Sequence, residues 1–327
     1  MDLLLRSLLT LGASEKDLAK VIAAANQSAE SGIEVCGGVS SGHGTLGYVK
    51  RMSESQSMPE CRIDSHVHIR SEDGLRDAAR AGVGAVRDAG TRDGAGLAFT
   101  SGGAPAALVC ISAGWALFKQ GGYGGAFGVP VTTGKDAKQA IQQLKAAGAG
   151  IIKVMASGMV SLKTPGTITA GGFTGDELAF IVDEAAQQGL AVMAHVNGEQ
   201  AIVAAARAGV RSIEHGFFMT RLALDALAKA GAFWTPTVGA LARAAEAGSV
   251  APEMKVYIGG LIDSHLDLIR QASEAGVPLA IGTDSVLPDA GYAAAYESEM
   301  SYFEQAGLAR EAVLQIACEN GARLLGL

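Results

Sequence analysis

The sequence predicts an α/β protein with a (β/α)8 (TIM) barrel, and three observations support that fold. Its 327 residues are long for one ordinary domain but typical of a barrel with extra elements. An alanine-rich helical pattern, a glycine and a short apolar run recur together along the chain. Eight such apolar runs can be counted, and the alternation of helix with strand implies parallel strands joined by right-handed crossovers.

The eight predicted strands are short runs whose apolar character suits strands buried on both faces. Glycines such as Gly82, Gly189 and Gly209 precede three of them, at the point where a helix C-terminus favours a left-handed residue. The runs span residues 61–68, 83–88, 106–112, 151–155, 190–195, 210–215, 232–237 and 277–284. An open, doubly wound sheet is the alternative, but the sequence lacks the glycine-rich phosphate turn that normally follows the first strand of such a sheet.

Two regions are predicted: an N-terminal helical and glycine-rich extension at residues 1–59, and the barrel at residues 60–327. Within the extension, the pattern after Ser14 predicts a helix to about Ser31, followed by the glycine-rich stretch CGGVSSGHGTLG. The apolar start is interpreted as an amphipathic helix rather than a signal peptide, because Arg6 interrupts the run. The sequence indicates no role for the extension or for His43 within it.

Composition narrows the classes of partner. The net charge of −7 argues against a nucleic acid or an anionic membrane surface as the main partner. No stretch approaches the roughly 20 apolar residues of a membrane span. The four cysteines are widely spaced and form no CxxC pair, which argues against a disulfide framework and fits a cytoplasmic enzyme. A small-molecule substrate is therefore the expected partner, and a homo-oligomer is allowed.

The candidate functional residues share one placement, near the C-terminal ends of predicted strands, where barrel active sites lie. They are His66, His68, Lys153, His195, His215 and Asp284. His66 and His68 are two residues apart on a strand and therefore point to the same face. The clustering of four imidazoles and a carboxylate predicts a metal site for zinc or a similar ion. Taken singly, a histidine at a strand end could equally be a core residue or a surface cap.

Lys153 lies inside the apolar run IIKVM, where a lysine is costly to bury without a partner. One interpretation is an ordinary ion pair with a carboxylate. The other starts from the predicted metals, since a protonated amine beside two dications would be repelled and a desolvated lysine loses its proton easily. Such a lysine could take up carbon dioxide and become a carbamate, an anionic bridge between two metal ions.

Seven short motifs together resemble the amidohydrolase superfamily, in its branch with two metals and a carboxylated lysine. They are DSHVH (64–68), VRDAG (86–90), IKVMASG (152–158), AHVNG (194–198), SIEHG (212–216), GTDS (282–285) and NGARLLGL (320–327). Within that branch, the motifs resemble those of the prolidase-like and imidazolonepropionase-like members. The resemblance covers roughly residues 60–327.

The resemblance implies a binuclear centre. His66, His68 and Asp284 would bind the more buried ion, His195 and His215 the second, and carbamylated Lys153 and a hydroxide would bridge them. Two divalent ions, expected to be zinc, would make that hydroxide a nucleophile near neutral pH. The second ion would stabilise the oxyanion, and Asp284 would pass the proton of the water to the leaving nitrogen.

The implied reaction is hydrolysis of a carbon–nitrogen bond in an amide, cyclic amide or peptide-like substrate. Three other functions remain open. A phosphotriesterase or lactonase would use the same ligand set. An aminohydrolase would usually need one metal and no bridging lysine. A catalytically silent barrel acting as a binding module is the hypothesis from a different class, although such barrels typically lose metal ligands.

The sequence departs from the family pattern in its domain content and in its substrate contacts. It ends at NGARLLGL, where the strands of a β-sandwich would begin, so no sandwich is predicted. In GGYG (121–124), Tyr123 replaces a histidine that helps to polarise the carbonyl in prolidase-like relatives; it could donate a hydrogen bond or be an ordinary loop residue. Asn197 replaces a tyrosine that contacts the carboxylate of dipeptides, and Lys163, in the loop 157–173, could meet an anionic substrate or be solvated. His265 lies in a helical stretch and is not assigned to the site.

Overall fold

The computed structural model describes residues 62–100, 103–105, 108–246 and 250–327 of the chain. The predicted extension at residues 1–59, with its helices and His43, lies outside the described residues, so the predicted boundary at residue 60 stays a prediction.

Strands and helices alternate along most of the described chain. The strands are β1 Arg62–Ile69, β2 Val83–Asp88, β3 Val109–Ser112, β4 Ala116–Lys119, β5 Gly128–Val131, β6 Ile151–Met155, β7 Ala191–Val196, β8 Ser212–His215, β9 Phe233–Thr235 and β10 Ser285–Leu287. The helices are α1 Glu72–Arg80, α2 Gly134–Ala146, α3 Gly175–Gln187, α4 Glu199–Ala208, α5 Arg221–Ala230, α6 Val238–Glu246, α7 Pro252–Glu274, α8 Tyr292–Gln305, α9 Arg310–Gln315 and α10 Gly321–Leu325. A 3-10 helix at Ala95–Phe99 follows β2, and a π-helical turn at Ile316–Asn320 joins α9 to α10.

All paired strands are parallel and form two sheets, in the orders β10-β1-β2-β3 and β5-β4-β6-β7-β8-β9. Backbone hydrogen bonds outside the regular strand pairs join the sheets on both sides. On one side the amide of Gly150 donates to the carbonyl of Ser112 over 3.0 Å, between β3 and the start of β6. On the other side residues 278–281 bond to Trp234 of β9 and to Ser65 of β1. This arrangement confirms the predicted (β/α)8 barrel.

The third barrel strand is bent, which the sequence analysis did not predict. Its first half, β3, pairs with β2, and its second half, β4, pairs with β6. Between the halves, Gly114 adopts a φ of +69°, a left-handed conformation that breaks a strand and favours glycine. The predicted single strand at residues 106–112 therefore ends too early. The short strand β5 adds to the outer edge of β4 and was also missed.

The predicted eighth strand at 277–284 was only partly right. Leu279 forms an isolated parallel pair with Trp234, but regular pairing with β1 begins only at β10, from Ser285 onward. Asp284 has a φ of +52°, which interrupts extended backbone immediately before β10. The backbone at Asp284 is therefore not part of a regular strand.

The main core lies between the barrel wall and the surrounding helices. A smaller apolar cluster lies where the loop 157–173 meets α6 and α7, and it includes Val160, Phe217, Leu241 and Ile258. After β10 the described chain continues only in helices. Within the described part of the chain, no helix combines the length and the apolar character that a bilayer crossing requires.

Candidate metal centre

His66, His68 and Asp284 form a compact group at the C-terminal mouth of the barrel. Their potential ligand atoms all lie within 4.8 Å of one another. One carboxylate oxygen, Asp284 Oδ1, lies 3.3 Å from His66 Nε2 and 3.2 Å from His68 Nε2. Both histidines are buried, whereas the side chain of Asp284 is 24% exposed. All three side chains line one cavity, and the carboxylate is the most exposed of them. A metal ion held by this group would therefore be accessible to substrate.

The other predicted ligands adjoin this group. The ring of His215 lies 5.2 Å from that of His66 and 4.5 Å from that of His195, measured between ring centroids. Lys153 Nζ lies 3.5 Å from His66 Nε2. The structure thus brings all six predicted residues together. In this arrangement His195 Nε2 is 3.1 Å from the carbonyl oxygen of Gly158.

The backbone around this centre is strained. Four non-glycine residues among those described have φ values between +51° and +68°, and they are His215, Phe218, Thr237 and Asp284. Each such conformation costs about 1–3 kcal/mol and persists only where the surrounding structure enforces it. Two of the four are predicted metal ligands, and Thr237 Oγ1 lies 2.6 Å from His215 Nδ1. The surrounding structure therefore enforces these backbone conformations at His215 and Asp284, and the conformations fix the direction of both side chains.

A buried charged network holds the ring of His66 from behind. His66 Nδ1 is 2.8 Å from Glu214 Oε2, and Arg87 Nη2 donates to Glu214 Oε1 over 2.8 Å. Arg87 also donates to the carbonyl of Ser65 and to Ser212 Oγ. All of these side chains are buried. With Nδ1 donating to the carboxylate, His66 is the tautomer whose Nε2 lone pair faces Asp284 and the cavity.

Sequence reasoning did not assign functions to Glu214 and Arg87, although both lie inside quoted motifs. Burial alone would raise the pKa of Glu214, but the charge of Arg87 and the hydrogen bond with His66 outweigh it and hold that pKa well below its usual range. Glu214 is therefore a buried carboxylate with a permanent partner. The signal that could have found the pair was a residue of opposite charge in each of two predicted barrel strands, Arg87 in β2 and Glu214 in β8.

A second acidic residue supports His68. The ring nitrogen His68 Nδ1 is 2.5 Å from the carbonyl oxygen of Gly90. The carboxylate of Asp88 accepts hydrogen bonds from the amides of Gly90 and Ile69, at 3.0 and 2.9 Å. Asp88 therefore fixes the loop whose carbonyl orients the His68 ring, so both histidines of the HxH motif are held through Nδ1.

The electrostatic environment favours neutral imidazoles. Burial, together with the charge of Lys153, lowers the pKa of His66 to about 4 and that of His195 to about 3. Burial and the neighbouring His195 hold the pKa of His215 well below its usual value. A neutral imidazole is the form that binds a metal. The three rings are therefore ready to act as ligands at neutral pH.

Lys153 and Asp284 carry the charges at the bottom of the cavity. Burial lowers the pKa of Lys153 to about 8, although the carboxylates of Glu214 and Asp284 act in the opposite direction. Among the described residues, no carboxylate oxygen lies within 4.0 Å of its amine. Burial would raise the pKa of Asp284, but the surrounding imidazoles reverse this and keep the pKa well below its usual value.

Of the three residues predicted to contact substrate, Tyr123 and Asn197 line the cavity and Lys163 does not. Tyr123 lines the cavity, which has a volume of about 170 Å³, and its ring centroid lies 5.0 Å from that of His195. Asn197 also lines it, but its amide nitrogen donates to the carbonyl of Gly158, and its oxygen accepts from the amide of Phe217. Lys163 is exposed and does not line the cavity. His265 is buried outside it, stacked on Phe217 at 4.3 Å between centroids.

Comparison with known proteins identifies the family of the chain. Ochratoxinase from Aspergillus niger is 34% identical over 167 residues, which are 50% of this chain and 35% of that protein, so the match spans about a third of its length. The solved structure of that ochratoxinase matches 81% of this chain and 71% of its own, with a TM-score of 0.65 and 24% identity. A prolidase solved with N-methylphosphonate-L-proline is 27% identical, with a TM-score of 0.66, over 81% of this chain and 74% of that one. The family model described as "Amidohydrolase family" matches residues 58–327, and the chain therefore belongs to the amidohydrolase family.

Proposed function

We propose that the protein is a metal-dependent hydrolase that cleaves a carbon–nitrogen bond in an amide, cyclic amide or peptide-like substrate. The observation that carries this proposal is the compact group of His66, His68 and Asp284 at the C-terminal mouth of the barrel. The names of two similar proteins agree with it, since one is an ochratoxinase and the other a prolidase.

The donor set fits a pair of divalent cations, and we propose zinc. His66, His68 and Asp284 would hold one ion, and His195 and His215 would hold the second. Imidazole nitrogens and carboxylate oxygens are ligands that zinc favours, and the lowered pKa values of the buried histidines keep their lone pairs available. When bound, such ions supply Lewis acidity, which polarises a carbonyl and lowers the pKa of water.

Lys153 is proposed to carry a carbamate between the two metal sites. Its amine is buried, has no carboxylate within ion-pair distance among the described residues, and lies 3.5 Å from a ligand nitrogen of His66. The neutral amine would attack the carbon of CO2 to form a nitrogen–carbon bond and release one proton. This change would replace a cation that repels metals with an anion that offers two oxygen ligands.

Asp284 and Tyr123 are the proposed catalytic residues. Asp284 is ionised and partly exposed to the cavity, so it can accept a proton from the attacking water and deliver it to the leaving nitrogen. Burial and the nearby charge of Asp284 raise the pKa of Tyr123 to about 12, so its phenol stays protonated and can donate a hydrogen bond to the carbonyl oxygen. A cytoplasmic location and a homo-oligomer stay predictions from composition.

The test is a substrate screen of protein grown with bicarbonate and loaded with zinc. It should include N-acyl amino acids, dipeptides, cyclic amides, lactones and phosphotriesters, with metal content measured on the same sample. We expect turnover of at least one amide class and two metal ions per chain. Turnover of lactones or phosphotriesters with none of amides would contradict the proposed reaction. One ion per chain would favour an aminohydrolase, and protein that cannot be loaded would favour a binding module.

A further inference from the structure

Much of the cavity lining is apolar. Much of this apolar lining comes from the loop 157–173, the segment after β8, and α6, and it includes Met159, Val160, Leu162, Phe217, Leu241 and Ala244. We name these six residues the apolar wall. Among the residues that the structure describes, the charged side chains that line the cavity are Lys153 and Asp284, both of the centre itself.

The apolar wall is held in place by packing. Within the loop 157–173, Val160 pairs with Ile168 and Ser157 with Gly172 in antiparallel bridges. Val160, Phe217 and Leu241 are at most 7% exposed and belong to one apolar cluster with side chains of α7. A wall with buried anchors is preformed, so it can select a ligand by shape and polarity.

Two polar side chains of the cavity lining, Asn197 and Thr237, already have hydrogen-bond partners. The amide of Asn197 is bonded to the backbone of Gly158 and Phe217, and Thr237 Oγ1 bonds to His215 Nδ1. The side chain of Lys163 lies outside the cavity lining. A charged substrate group placed against this wall would lose its hydration without gaining a partner, which is costly. An apolar group of the same size would be stabilised by burial.

We infer that the cavity selects carbon–nitrogen substrates in which one of the groups flanking the scissile bond is uncharged and apolar. A substrate with a charged group in that position is excluded. This inference rests on the proposed function, because the scissile bond must lie at the candidate metal centre for its flanking group to meet the apolar wall.

The test uses hydroxamates, whose head group binds zinc, with zinc-loaded protein and titration calorimetry. Acetohydroxamate is the anchor probe, followed by butanoyl and hexanoyl hydroxamates and by the monohydroxamate of glutaric acid, a charged analogue of similar length. We expect affinity to rise about fourfold for each methylene buried against the wall. The charged analogue should bind at least tenfold more weakly than the hexanoyl compound.

A gain-of-function variant sharpens the test. Ala244→Arg places a cation in the apolar wall and should reverse the preference, so that the glutaric monohydroxamate binds more tightly than the hexanoyl compound. Ala244→Gln controls for size, and Ala242→Arg places the same charge on α6 outside the cavity lining. Acetohydroxamate binding without any dependence on chain length would overturn this inference and leave the proposed function standing. Failure of every hydroxamate to bind would overturn both.

Discussion

The Glu214→Gln variant tests how the protein holds its first predicted ligand. In the structure Glu214 accepts from His66 Nδ1 and from Arg87 Nη2, both over 2.8 Å. Glutamine keeps the volume and one acceptor oxygen but removes the negative charge. Its amide nitrogen must then face either His66 or Arg87, and in either position one former hydrogen bond becomes a contact between donors.

Two effects of known size follow from that loss. Residues that orient a metal-binding histidine typically contribute 10–100-fold to metal affinity, so we expect zinc to bind about 10–100-fold more weakly. The buried Arg87 keeps two neutral acceptors, the carbonyl of Ser65 and Ser212 Oγ. We therefore expect the free energy of unfolding of the metal-free variant to fall by about 3 kcal/mol, the lower end of the range for a broken buried pair.

Zinc affinity is measured by competition with a coloured chelator, and stability by urea unfolding of metal-free protein. The matched control is Glu184→Gln, which removes a carboxylate that is paired with Lys138 over 2.9 Å on the helical layer. The control should keep its zinc affinity within about twofold, because it contacts none of the ligands. A Glu214→Gln protein that binds zinc as tightly as the unchanged protein would refute the positioning role.

Three further predictions concern single side chains. Lys153→Ala should lose most activity and at least one metal ion per chain by elemental analysis, whereas Lys138→Ala should lose neither; unchanged metal content would refute the bridging role. Tyr123→Phe should lower kcat with little change in KM, and an unchanged kcat would leave the tyrosine without a catalytic role. Burial raises the pKa of Glu299 from 4.5 to about 8. Glu299 therefore contributes most to the free energy of unfolding below about pH 4.5, and this contribution is lost as the pH rises through about 8. Glu299→Gln should flatten that part of a stability–pH curve, and an identical slope would contradict the assignment.

The sequence was most informative where a local pattern repeats. Recurrent helix–glycine–strand units predicted the barrel, because parallel strands buried on both faces read as short apolar runs. The bend at Gly114 could not be predicted in the same way, since a single glycine marks a turn, a cap or a bend equally well. The irregular segment before β10 depends on the left-handed conformation of Asp284, which its surroundings impose.

The candidate ligands were predictable because they lie on or beside predicted strands, and parallel strands bring their C-terminal halves together. In the structure Lys153 is the central residue of β6, and Asp284 directly precedes β10. Glu214 and Arg87 were visible as charged residues within predicted strands, but their pairing spans 127 positions of sequence and needed the barrel to be seen. The course of the loop 157–173 could not be inferred from composition. That course places Lys163 outside the cavity lining and turns apolar side chains toward the centre.

The most direct measurement is a crystal structure of zinc-loaded protein with anomalous data collected at the zinc absorption edge. We expect one anomalous peak among His66, His68 and Asp284, a second beside His195 and His215, and density beyond Lys153 Nζ for a carbamate between them. Zinc bound to the crystal elsewhere, with no peak among His66, His68 and Asp284, would contradict it.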